Sequence, residues 1–439
     1  MRFILDVLYV LAGIVISPVV IYRAVKHKRY RKGWAHRFGR VSRRQPNKTC
    51  IWLHAVSVGE VNASKTIVGE LEKRYPDCEI VISTTTDTGF ARASALFGEK
   101  LQVFFFPFDL SYVMRRAFLR ICPIICLLME LEIWPNFIDT ARRYGIPVVV
   151  INGRISEKGF AGYMRVRPFA SMFFRKVDLV LAQTNEYAQR FIALGCRSKR
   201  VIVTGSLKYD TAQIADTVEG ANTLATRLNI VNERLWVAGA TGDNEEAIIL
   251  DVYRSLKDEA GFDDLRLAIV PRKPERFGEV DEIIREKGFV PLRYSQIKDK
   301  ATSGAEKSII NNQLSINTVI LGDTMGDLRK FYSLASVIFV GRSLVPMGGS
   351  DMMEAAALGK CTIFGPHAFN FKQAVDALLA DQGAILVNNK DELLKAIKKC
   401  ILEPEYAKTV AEKGRKIIRK NQGATARTIE QISHILNVV

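Results

Sequence analysis

No Cys-x-x-Cys pair occurs among the seven cysteines, which fall at 50, 78, 122, 126, 196, 361 and 400. An odd, scattered set argues against a disulfide framework or zinc module and for a reducing compartment. Histidine is scarce too, with five residues and no HExxH, so no metal site is expected. No repeat of fixed period appears, which excludes solenoids and propellers. Proline (14) and glycine (30) show no excess that would mark a fibrous or low-complexity chain. RNP, KH and zinc-finger patterns are also missing, so nucleic acid is not an expected partner. What remains is a 439-residue globular mixture, 48% hydrophobic and 25% charged, long enough for two or three domains.

The chain does carry 63 Lys+Arg against 46 Asp+Glu, a formal +17. Part of that excess has an evident place. Phe3 to Tyr22 is a 20-residue apolar run interrupted by Asp6 alone, which matches the ~20 residues that cross a bilayer as a helix. Ten Lys/Arg and no acid follow between Arg23 and Arg44. Basic residues behind the apolar run keep that flank cytoplasmic and suit an uncleaved anchor rather than a signal peptide. An interfacial helix that does not span is the alternative. Residues 1–22 are thus read as a membrane anchor helix and 23–48 as a basic juxtamembrane segment facing an anionic surface.

From Cys50 onward, apolar β-branched runs alternate with helix-length segments. Strands are predicted over Cys50–Val56, Glu79–Thr84, Leu101–Phe106, Ile124–Met129, Pro147–Asn152, Leu179–Ala182 and Val201–Thr204. The pattern restarts at Leu235–Ala240, Arg266–Val270, Thr318–Leu321, Ser336–Val340, Cys361–Phe364 and Ala384–Val387, with a polar loop over Lys298–Gln313. Such runs imply parallel strands covered on both faces. The expected architecture is α/β, with two doubly wound Rossmann-like domains facing a cleft. These are an N-terminal domain over 49–210, a linker over 211–222, a C-terminal domain over 223–422 and a terminal helix over 423–439.

Open parallel sheets bind ligands past their strand C-termini, so residues there carry functional weight. The first strand ends in His54-Ala-Val-Ser57-Val-Gly59-Glu60, where Glu60 opens a helix and simple capping is the plain reading. The fourth ends in Met129-Glu130-Leu-Glu132-Ile-Trp134-Pro-Asn136. The fifth and seventh bring Arg154 and Lys208, so two acids and two cations converge on one rim. In the second half, Pro271-Arg272 follows a strand and offers a guanidinium for phosphate. Gly322-Asp-Thr-Met325-Gly326-Asp327 and Gly348-Gly349-Ser350-Asp351-Met352-Met353-Glu354 are further turns of that kind. The glycines let backbone approach a ligand, and the helix starting near Asp351 aims its N–H groups outward. Asn370 lies in Gly365-Pro-His-Ala-Phe-Asn-Phe371.

In order, HAVSVGE, MELEIWPN, TGSLKYD, VPRKPERF, GDTMGDL and GPHAFNF resemble the Kdo transferases, which add 3-deoxy-D-manno-octulosonic acid to lipid A precursor. The resemblance runs to about Gln422. It implies a GT-B glycosyltransferase of inverting type that uses CMP-Kdo, acts on lipid IVA at the bacterial inner membrane with its catalytic domains cytoplasmic, and needs no cofactor or metal. Glu60 matches the general base; Glu130 and Lys208 match positions of transition-state stabilisation. Pro271, Arg272, Met325, Gly326, Asp327 and Asp351 to Glu354 (with Met352 and Met353) match CMP-binding segments. Ser57, Gly59, Arg154, Gly348, Gly349 and Asn370 are further candidate substrate contacts. Where the family reads GGHNPLE, this chain has GGSDMME, and Asp351 adds a negative charge near a nucleotide phosphate. That change keeps two alternatives open: a GT-B transferase for another nucleotide sugar, or an inactive membrane-tethered binding protein.

Overall fold

The computed structural model describes residues 2–26, 31–230, 233–298 and 317–437. The predicted loop over Lys298–Gln313 falls, except for Lys298, outside the described residues. Two compact units are formed, Met1–Thr211 with Asn421–Val439, and Ala212–Lys420.

In the first unit seven parallel strands take the order β3-β2-β1-β4-β5-β6-β7. They are β1 (Thr49–His54), β2 (Cys78–Thr84), β3 (Gln102–Phe105), β4 (Pro123–Met129), β5 (Val148–Gly153), β6 (Leu179–Ala182) and β7 (Val201–Val203). Alternate side chains point to opposite faces of a strand, and helices cover both faces here. Ile51, Leu53, Ile80, Ile82, Leu127 and Val149 therefore fill one core, while Trp52, Val81, Phe104, Cys126, Leu128 and Val150 fill the other. Trp52 anchors the second through tilted contacts with Phe104 and Phe118 and an edge-on contact with Phe137, its indole N–H bonded to Ser83 Oγ at 2.8 Å.

The second unit repeats the plan with β10-β11-β9-β8-β12-β13-β14. The strands are β8 (Arg234–Thr241), β9 (Leu265–Pro271), β10 (Val290–Arg293), β11 (Thr318–Leu321), β12 (Val337–Val340), β13 (Cys361–Phe364) and β14 (Ile385–Leu386). Six strands were expected, and the described residues form seven. The extra one, β10, holds Pro291 and two partly exposed residues, and proline is tolerated only on an edge strand. Both sheets reverse their winding beside the first strand, between β1 and β4 and between β8 and β12. Those switch points open the crevices where such sheets bind ligands.

The chain returns to the first unit at its end. Helix Ala424–Leu436 packs on helix Val58–Arg74, with Thr425 Oγ1 donating to Thr66 Oγ1 at 2.9 Å and Tyr75 donating to Ser433 Oγ at 2.8 Å. Asp210 accepts from the Gly423 and Thr425 N–H groups, tying the junction.

The N-terminal helix, Arg2–Lys26, includes Ile4–Tyr22, one segment long and apolar enough to cross a membrane. The basic segment behind it is only partly free to meet anions. Arg37 is buried, stacked over Phe105 at 4.5 Å and donating to Thr85 O. Arg43 pairs with Glu79 at 2.8 Å, and Arg44 donates to the Glu99 and Gly98 carbonyls. Three of the ten cations thus pin the segment to the domain.

Candidate functional site

Glu60 sits in the first turn of helix Val58–Arg74, which starts directly after Ser57. The reason is a capping box: Ser57 Oγ accepts from the Glu60 N–H at 3.3 Å. In return the Glu60 carboxylate accepts from Ser57 N (3.2 Å), Ser57 Oγ (2.7 Å) and Val56 N (2.9 Å). The capping function expected of this residue is therefore present. A carboxylate offers about four lone-pair sites, and these bonds occupy two on Oε1 and one on Oε2. Among the described residues one acceptor site on Oε2 remains. Gly59 is uncrowded, since a Cβ there would find Ser57 Oγ at 3.8 Å.

Glu130 follows β4 with φ at +55°, a left-handed conformation unusual for a side-chain-bearing residue. Such strain, ~1–3 kcal/mol, persists where surrounding structure over-determines it. Here the Glu130 N–H donates to Ile151 O at 3.0 Å. Burial raises the Glu130 carboxyl pKa first and the Glu60 charge next, while Lys208 and Arg154 pull it down and Glu132 raises it again. Glu60, Lys208, Arg154 and Glu132 thus all act on Glu130.

One support of this rim was not anticipated from the sequence. Asn152, also at positive φ (+53°), is fully buried at the end of β5. Its Oδ1 accepts from the Leu207 N–H at 3.1 Å, which places the turn carrying Lys208. The signal was available: Asn before Gly at a strand end is a habitual left-handed position. Glu132 accepts from Trp134 Nε1 at 2.8 Å and lies 3.8 Å from His54 Nε2. His54 is buried, stacked on Phe106 at 3.9 Å, with Nδ1 2.9 Å from Ser83 Oγ.

In the second unit the candidate residues lie at the ends of β9, β11, β12 and β13. The Arg272 N–H bonds to Thr241 O at 3.1 Å and its side chain is exposed. Arg276, later in the same motif, is used structurally: it is buried between Glu246, Glu279 and Asp243. Glu245 is fully buried and accepts four backbone N–H groups, from Gly242, Arg342, Ser343 and Leu344. It holds the β8 and β12 turns together, although nothing in the sequence beyond its place at a strand end singled it out.

Gly348 and Gly349 are at φ +89° and +79°. A Cβ on Gly348 would come within 2.1 Å of Asn370 Nδ2, so the glycine turn and the Asn370 segment are packed together. Asp351 caps helix Met352–Ala357 by accepting from Met353 N at 2.9 Å. Met352 and Met353 point into the core, leaving only their backbone for a ligand. The Glu354 carboxyl is driven up to about 7 by burial, then by Asp351, with Arg329 and Arg272 opposing. In the remaining turn Met325 is 66% exposed and Gly326 has φ +89° with open space beside it. Asp327 is buried and already bridged by Lys298 and Lys330, both near 2.7–2.8 Å, and by Thr324. Among the described residues no group of three His, Cys, Asp or Glu gathers to hold a metal ion.

The fold is of the GT-B class. A glycosyltransferase from Rickettsia africae ESF-5 shares the fold at TM-score 0.56, with 14% identity over 89% of this chain and 99% of the other. A UDP-GlcNAc 2-epimerase from Neisseria meningitidis does so at 0.54, with 14% identity and 88% and 100% coverage. Residues 32–211 match the family of 3-deoxy-D-manno-octulosonic-acid transferases (kdotransferases). The 3-deoxy-D-manno-octulosonic acid transferase of Haemophilus influenzae is 32% identical over 94% of this chain and 93% of its own length. That of Bordetella pertussis is 31% identical over 90% of each. The chain belongs to the Kdo transferase family and is a glycosyltransferase that transfers Kdo.

Proposed function

We propose that the protein transfers Kdo from CMP-Kdo to a hydroxyl of lipid IVA with inversion at the anomeric carbon, on the cytoplasmic side of the inner membrane. The observation that carries this reading is the rim cluster of Glu60, Glu130, Arg154 and Lys208 in a chain of this family. Glu60 takes the acceptor hydroxyl proton through its remaining lone-pair site. The acceptor oxygen bonds the anomeric carbon as the bond to the CMP phosphate oxygen breaks, and CMP leaves with that electron pair. General-base assistance is worth ~10²–10⁴ in rate. Lys208 and Arg154 supply positive charge where charge shifts in the transition state. Buried beside Glu60, Glu130 keeps a proton more readily than an ordinary carboxyl and serves as a hydrogen-bond donor when it does.

CMP is held in the second unit. Arg272 meets the phosphate, the Met325–Gly326–Asp327 turn and the N–H groups at Met352 and Met353 supply backbone contacts, and Glu354 receives ribose hydroxyls. Gly348, Gly349 and Asn370 shape the walls of that site, and in the first unit Ser57 and Gly59 contact the acceptor. No cofactor or metal enters the scheme. The decisive experiment is mass spectrometry of tetraacyl lipid A precursor after incubation with enzyme and CMP-Kdo generated in situ. A mass increase of one or more Kdo units is expected; an unchanged acceptor mass rules the reading out. Calorimetric titration with CMP and UDP tests the alternative donor, and tighter UDP binding would favour it.

A further inference from the structure

The lone charge in the apolar N-terminal segment has an unexpected environment. Asp6 Oδ1 accepts from Ser111 N at 2.8 Å and from Asn136 Nδ2 at 3.0 Å, and Oδ2 accepts from Ser111 Oγ. One turn on, the Tyr9 hydroxyl donates to Asp109 Oδ2 at 3.0 Å. Asp109 and Asn136 are both buried. Asp109 also accepts from the Asn136 and Phe137 N–H groups at 3.0 and 2.7 Å, and Asn136 Nδ2 reaches Asp109 O at 2.6 Å. These are the first N–H groups of helix Pro135–Arg143, which otherwise lacks a cap. The loop ending there begins at Glu130.

Two further facts bear on topology. Trp34 packs its ring 6.2 Å from Phe108, and Phe108 N donates to Arg37 O at 2.8 Å. The chain therefore leaves the Phe108–Ser111 segment at Tyr9 and is back at the same segment by Trp34. A spanning helix would hold Asp6 and Trp34 on opposite sides of the bilayer. The apolar stretch beyond the docked turn, Val10–Tyr22, is thirteen residues, or ~20 Å of helix, short of the ~30 Å hydrocarbon core.

We propose that the N-terminal helix does not cross the bilayer but lies in its surface, docked through Asp6 and Tyr9 onto Asp109, Ser111 and Asn136, where Asp6 is a positioning residue for the Glu130–Asn136 loop. An apolar helix held this way buries its free faces in lipid while both its flanks stay on one side. The proposal rests on the reading that this helix meets a membrane, and the test separates the two.

In cells expressing the full chain as Ile4→Cys, a membrane-impermeant maleimide should label residue 4 only after the membrane is opened, read by mass spectrometry of the N-terminal peptide. Labelling in intact cells overturns the in-plane topology while leaving membrane attachment standing. Recovery of the protein in the soluble fraction overturns the membrane reading itself, and the in-plane placement with it. For positioning, kcat and KM are measured in detergent micelles, where targeting no longer matters. Asp6→Ala should lower kcat about ten- to hundredfold, the range that displacement of a catalytic loop produces, with CMP affinity unchanged. Asp6→Asn should restore most of kcat, because its Oδ1 still accepts from Ser111 and Asn136. Tyr9→Phe, which deletes one hydrogen bond and no packing, should give a smaller fall in kcat and serves where Asp6→Ala fails to fold. Wild-type kcat in Asp6→Ala or Tyr9→Phe rejects the positioning role.

Discussion

Glu60 shows how one side chain holds two duties. As a capping-box partner it steadies the helix behind β1, and a lost N-terminal cap costs ~1 kcal/mol. As the base it removes a proton. Glu60→Ala removes both, so it should lose turnover and about that much stability. Glu60→Gln keeps the hydrogen-bonding shape and should lose turnover ~10²–10⁴-fold while melting near wild type and binding CMP normally. Turnover retained in Glu60→Gln would take the base role away from this residue. Glu354 makes a pH prediction. Its carboxyl rises from 4.5 when unfolded to about 7 in the fold, so the folded state holds a proton that the unfolded chain releases. The associated stability is fully present below pH 4.5 and is lost as pH climbs through 7. Glu354→Gln should flatten that part of the profile, measured as the denaturant midpoint from pH 5 to 8; an unaltered slope would assign the linkage to other groups.

At the level of elements, all seven strands of the first sheet were legible because burial on both faces leaves continuous apolar runs. β10 was not, because an edge strand with Pro291 and Arg293 carries no such run. The rim residues Glu60, Glu130, Arg154 and Lys208 were legible from their places at strand ends. Their supports were not. Asn152 and Glu245 act through backbone contacts with segments far off in the chain, and the pairing of Asp6 with Asn136 spans 130 positions. Local patterning does not register such partners. The PRKPER motif likewise pointed to a phosphate site, whereas Arg276 within it is a buried ion-pair centre. Replacing Arg276 with Met leaves Glu246, fully buried, without its bidentate partner. Removal of one member of such a pair is worth ~3–5 kcal/mol, so chemical denaturation should show the second unit destabilised by that order. A change under 1 kcal/mol would mean that solvent reaches Glu246.

Across the whole molecule, the first unit is discontinuous in sequence: Met1–Thr211 is completed by Asn421–Val439. The closing helix contributes Ala424, Ile429 and Ile432 to the core beneath β1 and β4. Truncation after Lys420 should therefore lower the melting transition of the first unit and spare the second, followed by calorimetry or by exchange of amide protons in each. Equal losses in both would contradict this division. During synthesis the same arrangement imposes an order of events. The portion bearing Glu60 emerges from the ribosome early, yet a slot alongside helix Val58–Arg74 stays vacant until Ala424–Leu436 has been made. The second unit can ripen while the older one waits, so the newborn chain acquires its acid-bearing half in working form only after the whole second unit has been made.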